Sequence, residues 1–301
     1  MSRSIIIALL VCCLSACVLA AETGKAEAIS VRLPGATRLP ASPGFHSVDA
    51  TVQIGQEHFT MTFGLFLPPG YFASREPFPV VMAIHNRGIE GVGGGEVLGC
   101  EGMAHLWIQD AWDERDPATR PQANSLTLRK SAKFIGVAPQ CPKEHPLEVA
   151  PMPQVLAELV NQLGRAYRVD QNRVYLTGFS WGGTHTWLIA EQTPGRWAAI
   201  VPVSGKGTED PAETEARLAN VPVYLASGSA DPYFSGFCQE MSKAFIAAGH
   251  RDFVYRVLPE GNHFCYCGVY TDPAFWDWLL SKRRKAHPAS RPASASTTRK
   301  S

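Results

Sequence analysis

The sequence predicts an α/β domain, a mostly parallel sheet with helices on both faces. Two observations carry this. Short apolar runs at residues 80–84 (VVMAI), 134–139 (FIGVAP), 197–203 and 221–226 lack polar alternation, as strands buried on both faces do. They alternate with segments of helical periodicity, the pattern of parallel strands joined by crossover helices. The polar stretches that punctuate the chain follow these strands directly, and in such sheets the chemistry gathers beyond the strands' carboxyl ends.

With 301 residues, 45% hydrophobic and 18% charged, the chain can bury a sizeable core in one domain. A net charge of +1 and the lack of a basic stripe interleaved with aromatics argue against a nucleic-acid partner. Residues 1–20 read as an export signal: Arg3 supplies the positive end, and an apolar core too short to span a bilayer follows. Two processing readings stand side by side. Val18-Leu19-Ala20 fits ordinary cleavage, while Leu14-Ser15-Ala16-Cys17 fits a lipoprotein signal that would leave a lipid on Cys17 as the sole tie to a membrane. Either reading places the mature protein outside the cytoplasm, in the periplasm, anchored in the envelope or secreted.

Residues 21–44, with Pro34, Pro40 and Pro43, read as an N-terminal linker to a domain spanning 45–285. Residues 45–67 alternate apolar and polar side chains around Gly55, which predicts two antiparallel strands and a tight turn. The 80–84 strand ends at His85-Asn86-Arg87-Gly88, with His85 read as structural. Residues 89–133 carry a glycine cluster, Trp107 and Trp112; a connection of this length reads as an insertion near the site, of the kind that forms lids, or else as a surface excursion held by Cys100. Helical spacing over 151–169 places Val155, Leu156, Leu159, Val160 and Leu163 on one face, with Pro153 near the start. Further helices are predicted over 182–193, 210–219, 235–248 and 273–284, the last two bounded by Gly249 and a basic KRRK run. The last strand is 253–258. Residues 286–301, rich in Pro, Ala, Ser and Thr, read as a disordered tail.

One stretch organises the rest. In RVYLTGFSWGG (173–183) a β-prone run meets Gly178-Phe179-Ser180-Trp181-Gly182-Gly183 and then a helical pattern. A serine with glycines two before and two after suits a sharp strand-to-helix turn with an exposed hydroxyl, because the two backbones must pass closely. Ser180 is the candidate nucleophile. Such a hydroxyl needs a histidine to take its proton and a carboxylate to hold that ring. Asp231, in the SGSADP loop after the 221–226 strand, and His263, in the EGNH loop after the last strand, complete the order serine, acid, histidine.

LPPGY (67–71), VVMAIHNRG, VAPQCP, RVYLTGFSWGG, GSADP, GNH and PAFWDWL together resemble the α/β-hydrolase superfamily. The likeness is closest to its secreted esterase and predicted-peptidase branch, with polyhydroxybutyrate depolymerase-like, feruloyl-esterase-like and dienelactone-hydrolase-like members. The resemblance implies a catalytic triad of Ser180, Asp231 and His263, and an oxyanion hole from the backbone N–H of Trp181 and one from the 85–88 loop, placed at Arg87. It departs in one place: the family usually writes His-Gly-x-Gly where this chain has His85-Asn86-Arg87-Gly88.

The expected activity is hydrolysis of small-molecule or polymer carboxylic esters through an acyl-enzyme, with no cofactor and no metal. A serine peptidase of short peptides and a non-catalytic binding protein on the same scaffold are the alternatives. Of the eight cysteines, Cys12, Cys13 and Cys17 fall in the signal. Convergence of the acid and base loops would allow a disulfide from Cys238 to Cys265 or Cys267, and the family sheet would allow a second between Cys100 and Cys141. A metal site built on Cys265, Cys267 and His263 lacks the paired spacing of zinc sites.

Overall fold

The computed structural model describes residues 27–88, 102–107, 118, 126–140 and 142–284. The strands are β1 (Ile29–Arg32), β2 (Gly44–Ile54), β3 (Glu57–Leu67), β4 (Phe78–Ile84), β5 (Ile135–Pro139), β6 (Val169–Phe179), β7 (Ala199–Val203), β8 (Val223–Gly228) and β9 (Phe253–Leu258). They form one nine-stranded sheet in the order β1-β2-β3-β5-β4-β6-β7-β8-β9. β1, β2 and β3 pair antiparallel, β3 joins β5 antiparallel, and every pair from β5 to the β9 edge is parallel. The mostly parallel sheet read from the sequence is thus the architecture observed.

Period-two alternation explains why the central strands are apolar throughout. On β4, Val80, Met82 and Ile84 join a core that includes helix α2 (Met152–Ala166), helix α3 (Trp181–Gln192) and helix α5 (Ser235–Ala247). Val81 and Ala83 face the other way, into a core with Trp107, Leu128 of the short α1 (Leu128–Ser131), helix α6 (Tyr266–Tyr270) and helix α7 (Pro273–Ser281). Each fully buried large side chain contributes on the order of 1.5–3 kcal/mol. The helix starts are set by local chemistry. Asp210 caps α4 (Pro211–Leu218) by accepting from the Ala212 and Glu213 N–H groups, and Asp272 caps α7 by accepting from Ala274 N–H. A proline opens both helices.

Some expectations change. The 21–44 linker contains β1, an edge strand of four residues with only Val31 fully buried, too short to show a period. β6 begins at Val169 rather than 174, because the polar Asp170-Gln171-Asn172 stretch runs out beyond the core as strand. The terminal helix stops at Ser281, preceded by the separate α6. Within 89–133, residues 104–107 form a 3₁₀ turn and Trp107 is 2% exposed, packed in the core. The export signal (1–20), Trp112, Cys100, Cys141 and the 286–301 tail lie outside the described residues. Among the described residues no helix is long and apolar enough to cross a membrane.

The connection after β4 leads to β5 on one side, while the one after β6 leads to β7 on the other. The sheet therefore opens a crevice outside the carboxyl ends of β4 and β6, the place where such folds put ligands. Arg87 stands past one of these ends and Ser180 past the other.

Candidate active site

Ser180 occupies the turn between β6 and α3 with φ 59° and ψ −118°, a strained backbone for a residue with a side chain. Its surroundings hold it there. Ser180 N–H donates to Val203 O at 2.9 Å, and its carbonyl accepts from Thr184 N–H at 3.0 Å. A Cβ at Gly178 would collide with the Gly182 backbone. One at Gly182 would collide with the Ile84 carbonyl and stand 2.7 Å from that of His85. Glycine at both positions lets strand, turn and helix pass at van der Waals distance.

Ser180 is the N-cap of α3, yet its side chain makes no cap hydrogen bond. The hydroxyl turns outward instead, with Oγ 2.9 Å from His263 Nε2. On the other edge of the ring, His263 Nδ1 lies 3.0 Å from Asp231 Oδ2. A carboxylate can only accept, so Nδ1–H donates to Asp231 and Nε2 is left to accept from the serine hydroxyl. The three residues named from the sequence are thus within hydrogen-bonding reach of one another.

Asp231 is 1% exposed. Its Oδ1 accepts from the N–H groups of Tyr233 (2.9 Å) and Phe234 (3.2 Å), which fixes the carboxylate and aims Oδ2 at the ring. Burial pushes this carboxyl up, but the His263 ring and the two backbone donors outweigh it and hold the group below the usual carboxylate range. The acid and base loops touch directly: a Cβ at Gly228 would strike the Gly261 and Asn262 carbonyls, and Ala230 N–H donates to Gly261 O at 2.8 Å.

Trp181 is the first residue of α3, where an N–H has no acceptor within the helix. The 85–88 loop faces it across the crevice. His85 is 3% exposed and donates from Nδ1 to Asn86 O at 2.8 Å, which keeps the imidazole tied to its own loop. The Arg87 guanidinium lies over the Trp181 indole, its Cζ 4.3 Å from the ring centroid.

Aromatic rings surround His263. Phe234 stacks on it at 5.1 Å, Phe179 tilts against it at 4.9 Å, and Tyr233 meets it edge-on at 5.7 Å. Tyr233 is 67% exposed and Phe237 40%, so part of this surface is open to solvent. Pro232-Tyr233-Phe234 directly follows Asp231, and that adjacency was the available signal for these residues.

The cysteine expectation is corrected. Cys238 is a free thiol, and no bridge joins it to Cys265 or Cys267. Its Sγ donates to Gly205 O at 3.5 Å, while Cys265 Sγ and Ser204 Oγ share a hydrogen bond of 3.2 Å, so each sulfur is engaged with the β7 loop. Burial drives the Cys238 thiol pKa up to about 12. Among the described residues no group of three or more His, Cys, Asp or Glu side chains is arranged to hold a metal ion.

Residues 145–264, which include Ser180, Asp231 and His263, match the model of the dienelactone hydrolase family. Solved structures superpose over most of the chain. A thermostable esterase aligns at TM-score 0.61 and 20% identity, covering 79% of this chain and 63% of that one. The feruloyl esterase module from Clostridium thermocellum, an S954A mutant complexed with sinapinate, aligns at 0.57 and 14%, covering 88% and 99%. LpqC, a poly(3-hydroxybutyrate) depolymerase from Bordetella parapertussis, aligns at 0.54 and 15%, covering 81% and 92%. The chain has the α/β-hydrolase fold.

The chain is also similar to two curated proteins. It is 31% identical over 78 residues to the bifunctional acetylxylan esterase/xylanase XynS20E of Neocallimastix patriciarum, a match covering 26% of this chain and 11% of that protein. It is 27% identical over 177 residues to "Putative esterase NocK" of Nocardia uniformis subsp. tsuyamanensis, covering 58% of this chain and 46% of that one. The matches therefore span less than half the length of either curated relative.

Proposed function

We propose that this α/β-hydrolase cleaves carboxylic esters, with Ser180 as nucleophile, His263 as general base and Asp231 as the carboxylate that orients the ring. The observation that carries the reading is the continuous relay from Ser180 Oγ to His263 Nε2 (2.9 Å) and from His263 Nδ1 to Asp231 Oδ2 (3.0 Å). His263 takes the hydroxyl proton as Oγ attacks the ester carbonyl. The developing oxyanion is met by the N–H of Trp181, at the positive end of the α3 dipole, and by the backbone N–H at Arg87. The tetrahedral adduct collapses, the imidazolium returns its proton to the leaving alcohol, and the acyl group stays on Ser180. Water, deprotonated by the same histidine, then releases the acid and restores the enzyme.

The exposed ring of Tyr233 beside His263, with the exposed Phe237 next to Phe234, favours esters with a planar aromatic group, the kind of ligand that the sinapinate in the feruloyl esterase module represents. Esterase relatives whose names include a xylanase partner, a depolymerase and a feruloyl esterase support small or polymer esters as substrates. Export from the cytoplasm, read from residues 1–20, remains part of the proposal. Purified protein assayed on p-nitrophenyl acyl esters, methyl hydroxycinnamates and aminoacyl anilides tests the chemistry. Ester turnover that disappears in Ser180→Ala is expected. Turnover of the anilides alone would replace esterase with peptidase, and turnover of none would leave a binding protein.

A further inference from the structure

The chain departs from its family's usual glycine after the β4 strand, and the structure points to what the replacement loop does. Arg87 and Trp181 carry the two segments that face the crevice, and their side chains are stacked, guanidinium on indole, at 4.3 Å. The indole is held from a second direction. His185, one helical turn further along α3, meets it edge-on at 4.8 Å and 62°, and is itself buried with Nε2 3.4 Å from Glu148 Oε1. Beneath the stack, Gly182 lies against the Ile84 and His85 carbonyls, so the β4 end and the α3 start already touch through backbone.

We infer that the Arg87 side chain is a positioning residue: by clamping the Trp181 indole from above while His185 holds its edge, it fixes the spacing between the loop and helix N–H groups proposed to receive the oxyanion. This rests on the proposed esterase reading. The usual glycine makes this loop by permissiveness; here a cation–π contact across the crevice takes over the task. Such a clamp acts on the transition state, where an oxyanion forms, and leaves ground-state binding alone.

The test is a kinetic double-mutant cycle on the full chain with p-nitrophenyl acetate. Every variant keeps its backbone N–H, and the double variant separates the stack from the indole's own contact with His185. In Arg87→Met, which keeps the stem and removes the cation, kcat is expected to fall about three- to fivefold with KM within about twofold, the scale of a cation–π contact whose Arg87 partner is exposed. Arg87→Lys should recover most of the loss. Trp181→Leu should lower kcat similarly, and adding Arg87→Met to it should cost little more. Should Trp181→Leu fail to fold, Trp181→Phe offers a weaker ring face, and the Arg87 effect should shrink in it. An unchanged kcat in Arg87→Met, a loss confined to KM, losses that multiply in the double variant, or an undiminished effect on Trp181→Phe would each overturn the clamp. Failure of the esterase reading looks different: wild type and Ser180→Ala would both be inert, and the clamp would fall with it.

Discussion

Ser180 stands where a serine normally caps a helix, but its hydroxyl is 2.9 Å from His263 Nε2 and makes no cap hydrogen bond. A capping serine stabilises a helix by about 1 kcal/mol. Here that contact is given up, and the backbone strain at φ 59° is held by Gly178, Gly182 and the Val203 carbonyl. The local geometry sacrifices stability to present one oxygen to one imidazole.

The glycine requirement is severe at the turn. Gly182→Ala places a methyl against the Ile84 carbonyl, which is backbone and cannot swing aside. A loss of stability of about 1–3 kcal/mol is expected by chemical denaturation, with ester turnover reduced because the α3 start moves off β4. A variant as stable and active as wild type would show that the close approach is not needed.

Asp231→Asn keeps the shape of the side chain and its contacts with the Tyr233 and Phe234 N–H groups, but the amide cannot hold the His263 ring in the same tautomer. A drop in kcat of about four orders of magnitude is expected, with the fold retained by circular dichroism. A loss of less than about tenfold would remove the carboxylate from the relay.

The same carboxylate makes a pH-dependent contribution to stability. Its pKa is depressed in the folded protein, so the unfolded chain takes up the proton first as pH falls. The stabilisation is complete above the unfolded carboxylate value of about 3.9 and declines as pH drops through that value toward the folded one. Urea unfolding of wild type and Asp231→Asn between pH 6 and pH 3, roughly the window spanning that range, should show the advantage of wild type shrinking only at the acid end. An advantage that grows on acidification would reverse the sign and contradict the assignment.

Cys238 is buried and its thiol is pushed up to about 12, so it should be protonated and inert in the native protein. Maleimide labelling followed by peptide mass mapping is expected to find Cys238 unmodified until denaturant is added. Rapid native labelling at this position would show that α5 opens readily.

Much of this molecule is legible before folding because particular residues have few alternatives. The β4 and β7 runs admit little but a strand buried on both faces, and a serine between Gly178 and Gly182 after a β-prone run admits little but a sharp turn. Asp231 and His263 are readable because each lies in a polar loop that directly follows a strand. β1 and α6 escape notice because four and five residues show no period. The Arg87–Trp181 stack and the ring of aromatics around His263 depend on loop geometry that no spacing encodes. The sulfurs illustrate the limit of proximity: Cys238 and Cys265 both border the β7 loop, yet each turns to a β7-loop oxygen rather than to the other.

The most direct measurement is intact-mass spectrometry of the folded protein after treatment with a fluorophosphonate, followed by peptide mapping. A single stoichiometric adduct on Ser180, absent from Ser180→Ala and strongly slowed in a His263→Ala variant, is predicted. A folded wild-type protein that gains no adduct, or gains one on another residue, would contradict Ser180 as an activated nucleophile.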